Sequence, residues 1–95
     1  MRVRWSAESI DDLAALRAFI ASESPASATR IARRISEIVE TLLAENRESG
    51  RQGRVSGTWE LVVARTPFVV AYRIRADAIE VARVLHGARR WPDRL

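Results

Sequence analysis

The chain has no cysteine and no lysine, and only one histidine and one tyrosine among its 95 residues. Without cysteine there is no disulfide framework and no thiolate metal site. A lone His86 cannot supply a histidine cluster, so neither a metal nor another cofactor is expected. No apolar run approaches the roughly 20 residues needed to cross a bilayer, and no membrane partner is expected. The first residues lack the basic segment, apolar stretch and small-residue cleavage site of a secretory signal, so the expectation is a soluble, cytoplasmic protein. What remains is ordinary: 47% of the residues are hydrophobic, enough to exclude wholesale disorder. The length predicts one domain, residues 1–95, near the lower limit of what buries enough surface to fold alone. There is no internal repeat and no low-complexity segment.

All positive side-chain charge therefore comes from arginine, and it is unevenly spread. Residues 1–46 hold six Arg against seven acidic residues, and residues 47–95 hold ten against five. The positive field belongs to the C-terminal half and suits an anionic partner, either nucleic acid or an acidic protein segment. Arginine also pairs with carboxylate or phosphate as a fork, which lysine cannot do.

Arg2 to Trp5 alternates polar and apolar, the pattern of a short half-buried strand. Ser6 follows as an N-cap, with Glu8, Asp11 and Asp12 early in the next helix, where the helix dipole favours negative charge. Ile10, Leu13, Leu16 and Ile20, with Ala14 beside them, predict the apolar stripe of that helix. Ser24-Pro25 reads as a helix restart, Ser as cap and Pro at the first helical position. Ala28, Ile31, Ala32, Ile35, Ile38, Val39 and Leu42 then repeat at helical spacing over four turns. The short connection predicts an antiparallel helix pair. Asn46 to Gly57, polar and rich in Gly and Arg, reads as a loop. Three strands follow, about Thr58–Ala64, Phe68–Arg75 and Ala78–Leu85, with turns at Arg65-Thr66-Pro67 and Ala76-Asp77 tight enough to make them antiparallel neighbours. The order β-α-α-β-β-β predicts an α+β fold, an antiparallel helix hairpin packed on a small, mainly antiparallel sheet.

This order, with these residues, resembles the RelE/ParE superfamily of toxins from bacterial type II toxin–antitoxin systems. The likeness covers nearly the whole chain. It runs from Trp5-Ser6, Asp12-Leu13 and Ser24-Pro25 to Gly50-Arg51-Gln52-Gly53-Arg54-Val55 and Gly57-Thr58-Trp59-Glu60-Leu61-Val62-Val63. It continues through Thr66-Pro67-Phe68-Val69-Val70-Ala71-Tyr72-Arg73 to Val84-Leu85-His86-Gly87-Ala88-Arg89, and looks closest to the ParE-like branch. The resemblance implies one of two activities. RelE-type members cut mRNA in the ribosomal A site; ParE-type members trap DNA gyrase on cleaved DNA without being nucleases. Members of both kinds are silenced by a cognate antitoxin.

A metal-free ribonuclease needs a general base, arginine to stabilise the phosphate, and an acid, all converging. RelE-like nucleases place an Arg on the middle C-terminal strand where this chain has Val69, and the terminal Tyr of some has no counterpart here. Other branches use Glu, Arg and a C-terminal His, which leaves Glu60, Arg83 and His86, with Arg89, as the alternative catalytic set. Against that reading, Glu60 can be a solvated strand residue paired with Arg73 or Arg83, and His86 can cap the last strand or stack on Trp91. The favoured reading is a gyrase-binding toxin without catalytic residues. Its target contacts are Arg83, His86, Arg89, Arg90 and Trp91, with Arg51 and Arg54 in support. Trp59 stands where relatives often carry Arg. Phe19 lies about 100° around the helix from Ile20, off the apolar stripe. With Leu16 and Leu43, and with Trp59, it is expected to meet the antitoxin in the manner of a helix filling a groove. A degenerate toxin that only binds antitoxin is the remaining alternative.

Overall fold

A computed structural model describes residues 1–95. Strand β1 (Arg2–Trp5) is followed by helices α1 (Ala7–Ala21) and α2 (Pro25–Glu37), and α2 runs on into a π-helical segment, Ile38–Leu43. Four strands complete the chain: β2 (Arg51–Gln52), β3 (Trp59–Val62), β4 (Phe68–Ile74) and β5 (Ala78–His86). They form one sheet in the order β1-β5-β4-β3-β2, parallel only at β1–β5. The two helices pack against each other and on the sheet, the α+β arrangement expected. The loop expected over Asn46–Gly57 contains one additional element, the two-residue strand β2, which pairs Arg51 with Glu60 and Gln52 with Trp59. No helix is long and apolar enough to cross a membrane.

Both predicted caps form. The Ser6 hydroxyl accepts from Ser9 N, and that of Ser24 from Ser27 N, with Pro25 opening α2. The apolar stripe of α1 differs from the expected one by a residue. Ile10 is 55% exposed and Ala14 is exposed, whereas Ser9 is fully buried. Ser9 is tied down twice by the cap, its N–H donating to Ser6 Oγ and its hydroxyl to Ser6 O. Ser9, Leu13, Leu16 and Ile20 face inward.

A second exchange occurs at the end of α2. Ideal α-helical spacing from Ile35 aligns Leu42 with the core, but Leu42 is 44% exposed and Leu43 is fully buried. The π turns take about one residue more than α turns, so the stripe continues Ile35, Val39, Leu43 at intervals of four. Leu43 is thus a core residue, and the expectation that it forms part of an antitoxin-facing strip is corrected by this widening.

The core lies between helices and sheet, built from Leu16, Ile35, Val39 and Leu43 on the helical side and from Phe68, Val70, Tyr72, Ile79, Val81 and Val84 on the sheet. Pairing of β4 with β5 is irregular: Ala71 opposes Arg83 but Tyr72 opposes Val81, which leaves Ala82 bulged. One inserted residue reverses which face each later side chain takes. Ile79 and Val81 enter the core before the bulge, and Val84 enters it after. His86, two residues on, consequently sits opposite Phe68. The Ser6 hydroxyl donates to Ala82 O at 2.7 Å, which holds the bulge to the start of α1.

Candidate functional site

Where β5 ends, α1 and the C-terminal segment leave an open groove of about 430 Å³ between them. Leu16, Phe19, Ile20 and Ile31 line it from the helices, Phe68, Val84 and Leu85 from the sheet. His86, Arg89, Arg90 and Trp91 form its remaining wall. Four of the residues expected to contact the target and two of those expected to contact the antitoxin therefore share one groove. Phe19 is 64% exposed, and the Arg89 guanidinium lies 5.6 Å from its ring centre. His86 stands edge-on to Phe68 with ring centres 5.8 Å apart. Its Nδ1 accepts the Ala88 N–H at 3.1 Å, which places the proton of the neutral ring on Nε2.

Glu60 is not a solvated strand residue and pairs with neither Arg73 nor Arg83. It is 2% exposed, and its carboxylate accepts three bonds from Arg54: the backbone N–H at 2.7 Å, Nε at 3.1 Å and Nη2 at 3.1 Å. Arg51 Nη2 lies 3.7 Å away. Burial pushes the Glu60 carboxyl up, but the Arg54 bonds and the two guanidinium charges outweigh it, and the pKa ends below the ordinary glutamate value. The other side of the Arg54 guanidinium packs on Trp91, 3.6 Å from the ring centre. Trp91 Nε1 in turn donates to His86 O at 3.0 Å.

Arg83 shares a cross-strand row with Glu60, one on each side of Ala71, but has a different partner. It forms a fork with Asp12 of α1, Nε to Oδ2 at 2.7 Å and Nη2 to Oδ1 at 2.9 Å. The same Oδ2 accepts Val84 N–H at 2.9 Å. β1 pairs with β5 only as far as Val81, and Asp12 supplies an acceptor on the edge beyond it. The hydrogen bonds to Asp12 push the Arg83 pKa further up. In the sequence Asp12 reads as a helix-dipole residue and as part of the Asp12-Leu13 resemblance, not as a strand partner. Its partner is 71 residues away, and no local feature of the sequence pairs the two.

No hydrogen bond or ion pair joins Glu60, Arg83 and His86 to one another. Val69, at the position where RelE-like nucleases carry Arg, is buried; a Cβ on Gly87 would approach its side chain to 3.2 Å. Trp59 stacks on Tyr72, ring centres 6.4 Å apart, and is half-buried on β3, away from the groove. No three acidic or histidine side chains gather as metal ligands would.

Comparison with known proteins brings in the family. Residues 3–91 match the family described as the ParE toxin of the type II toxin–antitoxin system parDE. A toxin-named protein of Sinorhizobium fredii, Y4kP, is 38% identical over 91 residues, 96% of this chain and 93% of its own length. Toxin RelE2 of Caulobacter vibrioides is 32% identical over 88 residues, 93% of this chain and 97% of its own. Among solved structures, a chain of the chromosomal ParDE system from P. aeruginosa superposes with a TM-score of 0.77 at 27% identity, covering 88% of this chain and 92% of that one. A chain of the RelBE2 toxin–antitoxin complex from Mycobacterium tuberculosis shares the fold, with a TM-score of 0.63 at 22% identity, covering 93% of this chain and 92% of that one.

Proposed function

This chain belongs to the ParE toxin family of type II toxin–antitoxin systems, within the RelE/ParE superfamily, and from that membership we propose that it acts by binding DNA gyrase and trapping it on cleaved DNA. The observation that carries this reading over an mRNA nuclease is that two of the nuclease candidates are bonded to other partners. Glu60 is committed to Arg54 and Arg83 to Asp12, so that of the set only His86 and Arg89 line the groove. A general base, a phosphate-stabilising arginine and an acid must meet at one phosphodiester. Binding needs only a surface, and the Arg89-Arg90-Trp91 wall beside an apolar groove supplies anchors of the types that dominate interfaces.

The cognate antitoxin is the second proposed partner. The solved relatives come from a ParDE system and a RelBE2 complex, and the exposed Phe19 beside Leu16 offers an apolar seat for one of its helices.

Purified protein added to gyrase, supercoiled plasmid and ATP, beside a translating extract probed for message cleavage, tests the proposal. Linear plasmid with intact message is the expected result. Cut message with unaffected gyrase would replace it with the RelE-like reading, and activity in neither assay would leave a protein that only binds antitoxin.

A further inference from the structure

The C-terminal segment carries the proposed target contacts, yet very little holds it. From Arg90 onward it makes no backbone–backbone hydrogen bond. Its fastenings are side-chain contacts: Arg54 over the Trp91 ring, Trp91 Nε1 to His86 O, and Arg73 Nη2 to Leu95 O at 2.7 Å. Of these, the Arg54 contact is the one anchored in the protein interior. Glu60 projects from β3 at 2% exposure and receives the Arg54 backbone N–H together with two guanidinium donors. A fork bound on one edge to a buried carboxylate has its plane fixed, and that plane is then available to a ring.

We propose that Glu60 and Arg54 are positioning residues: they hold Trp91, and through it Arg89 and Arg90, at the mouth of the groove. The chain's most buried carboxylate thereby has a task that is not catalytic. Arg54 acts on the target through Trp91 instead of touching it. A guanidinium packed on an indole while its edge bonds a carboxylate is favourable by charge as well as by contact, because the ring face attracts the cation. Lysine in its place would keep the charge and lose both the fork and the flat face. The link from this latch to activity rests on the gyrase reading above; the latch itself does not.

The two are tested separately in a Trp5→Phe, Trp59→Phe background, which leaves Trp91 as the sole tryptophan. Acrylamide quenching then reads Trp91 alone. Arg54→Ala and Arg54→Lys are expected to raise the quenching constant about twofold or more, with Glu60→Gln moving it in the same direction. Arg54→Ala strips the buried Glu60 carboxylate of its guanidinium partner, so each variant is first shown to be folded by circular dichroism; Arg54→Lys, which keeps the charge and the backbone N–H bond to Glu60, decides the matter if Arg54→Ala or Glu60→Gln does not fold. For gyrase trapping in the otherwise native chain, Arg54→Ala and Trp91→Ala should each weaken the effect about tenfold, and the double variant no further than either alone. Unchanged Trp91 quenching in both Arg54 variants would overturn the latch. Additive losses in the double variant would show Arg54 acting on gyrase by itself, and would also overturn it. A wild-type chain that fails to trap gyrase would sink the target reading while the quenching series still decides the latch.

Discussion

Two acidic residues illustrate what position does to a carboxylate. Glu60 is buried and remains charged because Arg54 gives it three hydrogen bonds and Arg51 adds a second positive charge. Its pKa is depressed in the folded state, so its contribution to stability is present above the unfolded value and is lost as pH falls through the folded one. Urea melts from pH 7 down to pH 3 should therefore show wild type losing stability on acidification, and Glu60→Gln losing less over the same window. Parallel curves would mean that the Arg54 pairing contributes nothing to folding. Asp12 is bound to strand β5 from a different element, serving Arg83 and Val84 N–H with one carboxylate. Asp12→Ala strands both and is expected to cost about 1–3 kcal/mol in denaturant unfolding, while Asp11→Ala, on the exposed side of α1, should cost little.

At the scale of elements, two local irregularities set the working geometry. The π turns over Ile38–Leu43 exchange Leu42 for Leu43 in the core, and Thr41 accompanies them with a hydroxyl bond back to Glu37 O. Leu43→Ala is expected to cost about 2–5 kcal/mol, whereas Leu42→Ala should cost under about 1 kcal/mol. Thermal melts of the pair that ranked them the other way would restore regular α-helical winding. The bulge at Ala82 acts likewise on the sheet, since without it Arg83 and Leu85 would take the core-facing positions now held by Val84 and His86. A third constraint lies in the connection to β2. A Cβ on Gly50 would fall 2.7 Å from the Tyr72 hydroxyl, which accepts Gly50 N–H and donates to Arg47 O. Burial of that hydroxyl pushes its pKa up, and the absence of a side chain at Gly50 lets the loop close over it.

Across the whole molecule, the basic C-terminal half does not form one uniform patch. Arg51 and Arg54 are drawn to Glu60, Arg83 to Asp12 and Arg75 to Glu80, and of the six other Arg in this half Arg89 and Arg90 line the groove. The groove joins an apolar seat to this cationic wall, and the two proposed partners would meet there. Phe19→Ala removes the most exposed apolar side chain of the seat. It is expected to leave the melting temperature nearly unchanged and to weaken binding of the cognate antitoxin about tenfold, read by titration calorimetry. Full affinity in that variant would move the antitoxin off this face.

The amino-acid sequence by itself determined the element order apart from the two-residue β2, both helix caps, the antiparallel arrangement of the three C-terminal strands and the family resemblance. These depend on neighbours in the chain: a serine oxygen within reach of an N–H three residues on, a two-residue turn, an alternation of period two. Tertiary structure alone decided that Ser9 and not Ile10 completes the buried side of α1, that Leu43 and not Leu42 is core, and that Glu60 belongs to Arg54 while Arg83 belongs to Asp12. Each of those outcomes turns on a rotation or a one-residue slip that propensity does not resolve. The two ion pairs are settled by contacts between segments that meet only after folding: α1 along the open edge of β5, and the C-terminal segment against Arg54 of the loop before β3.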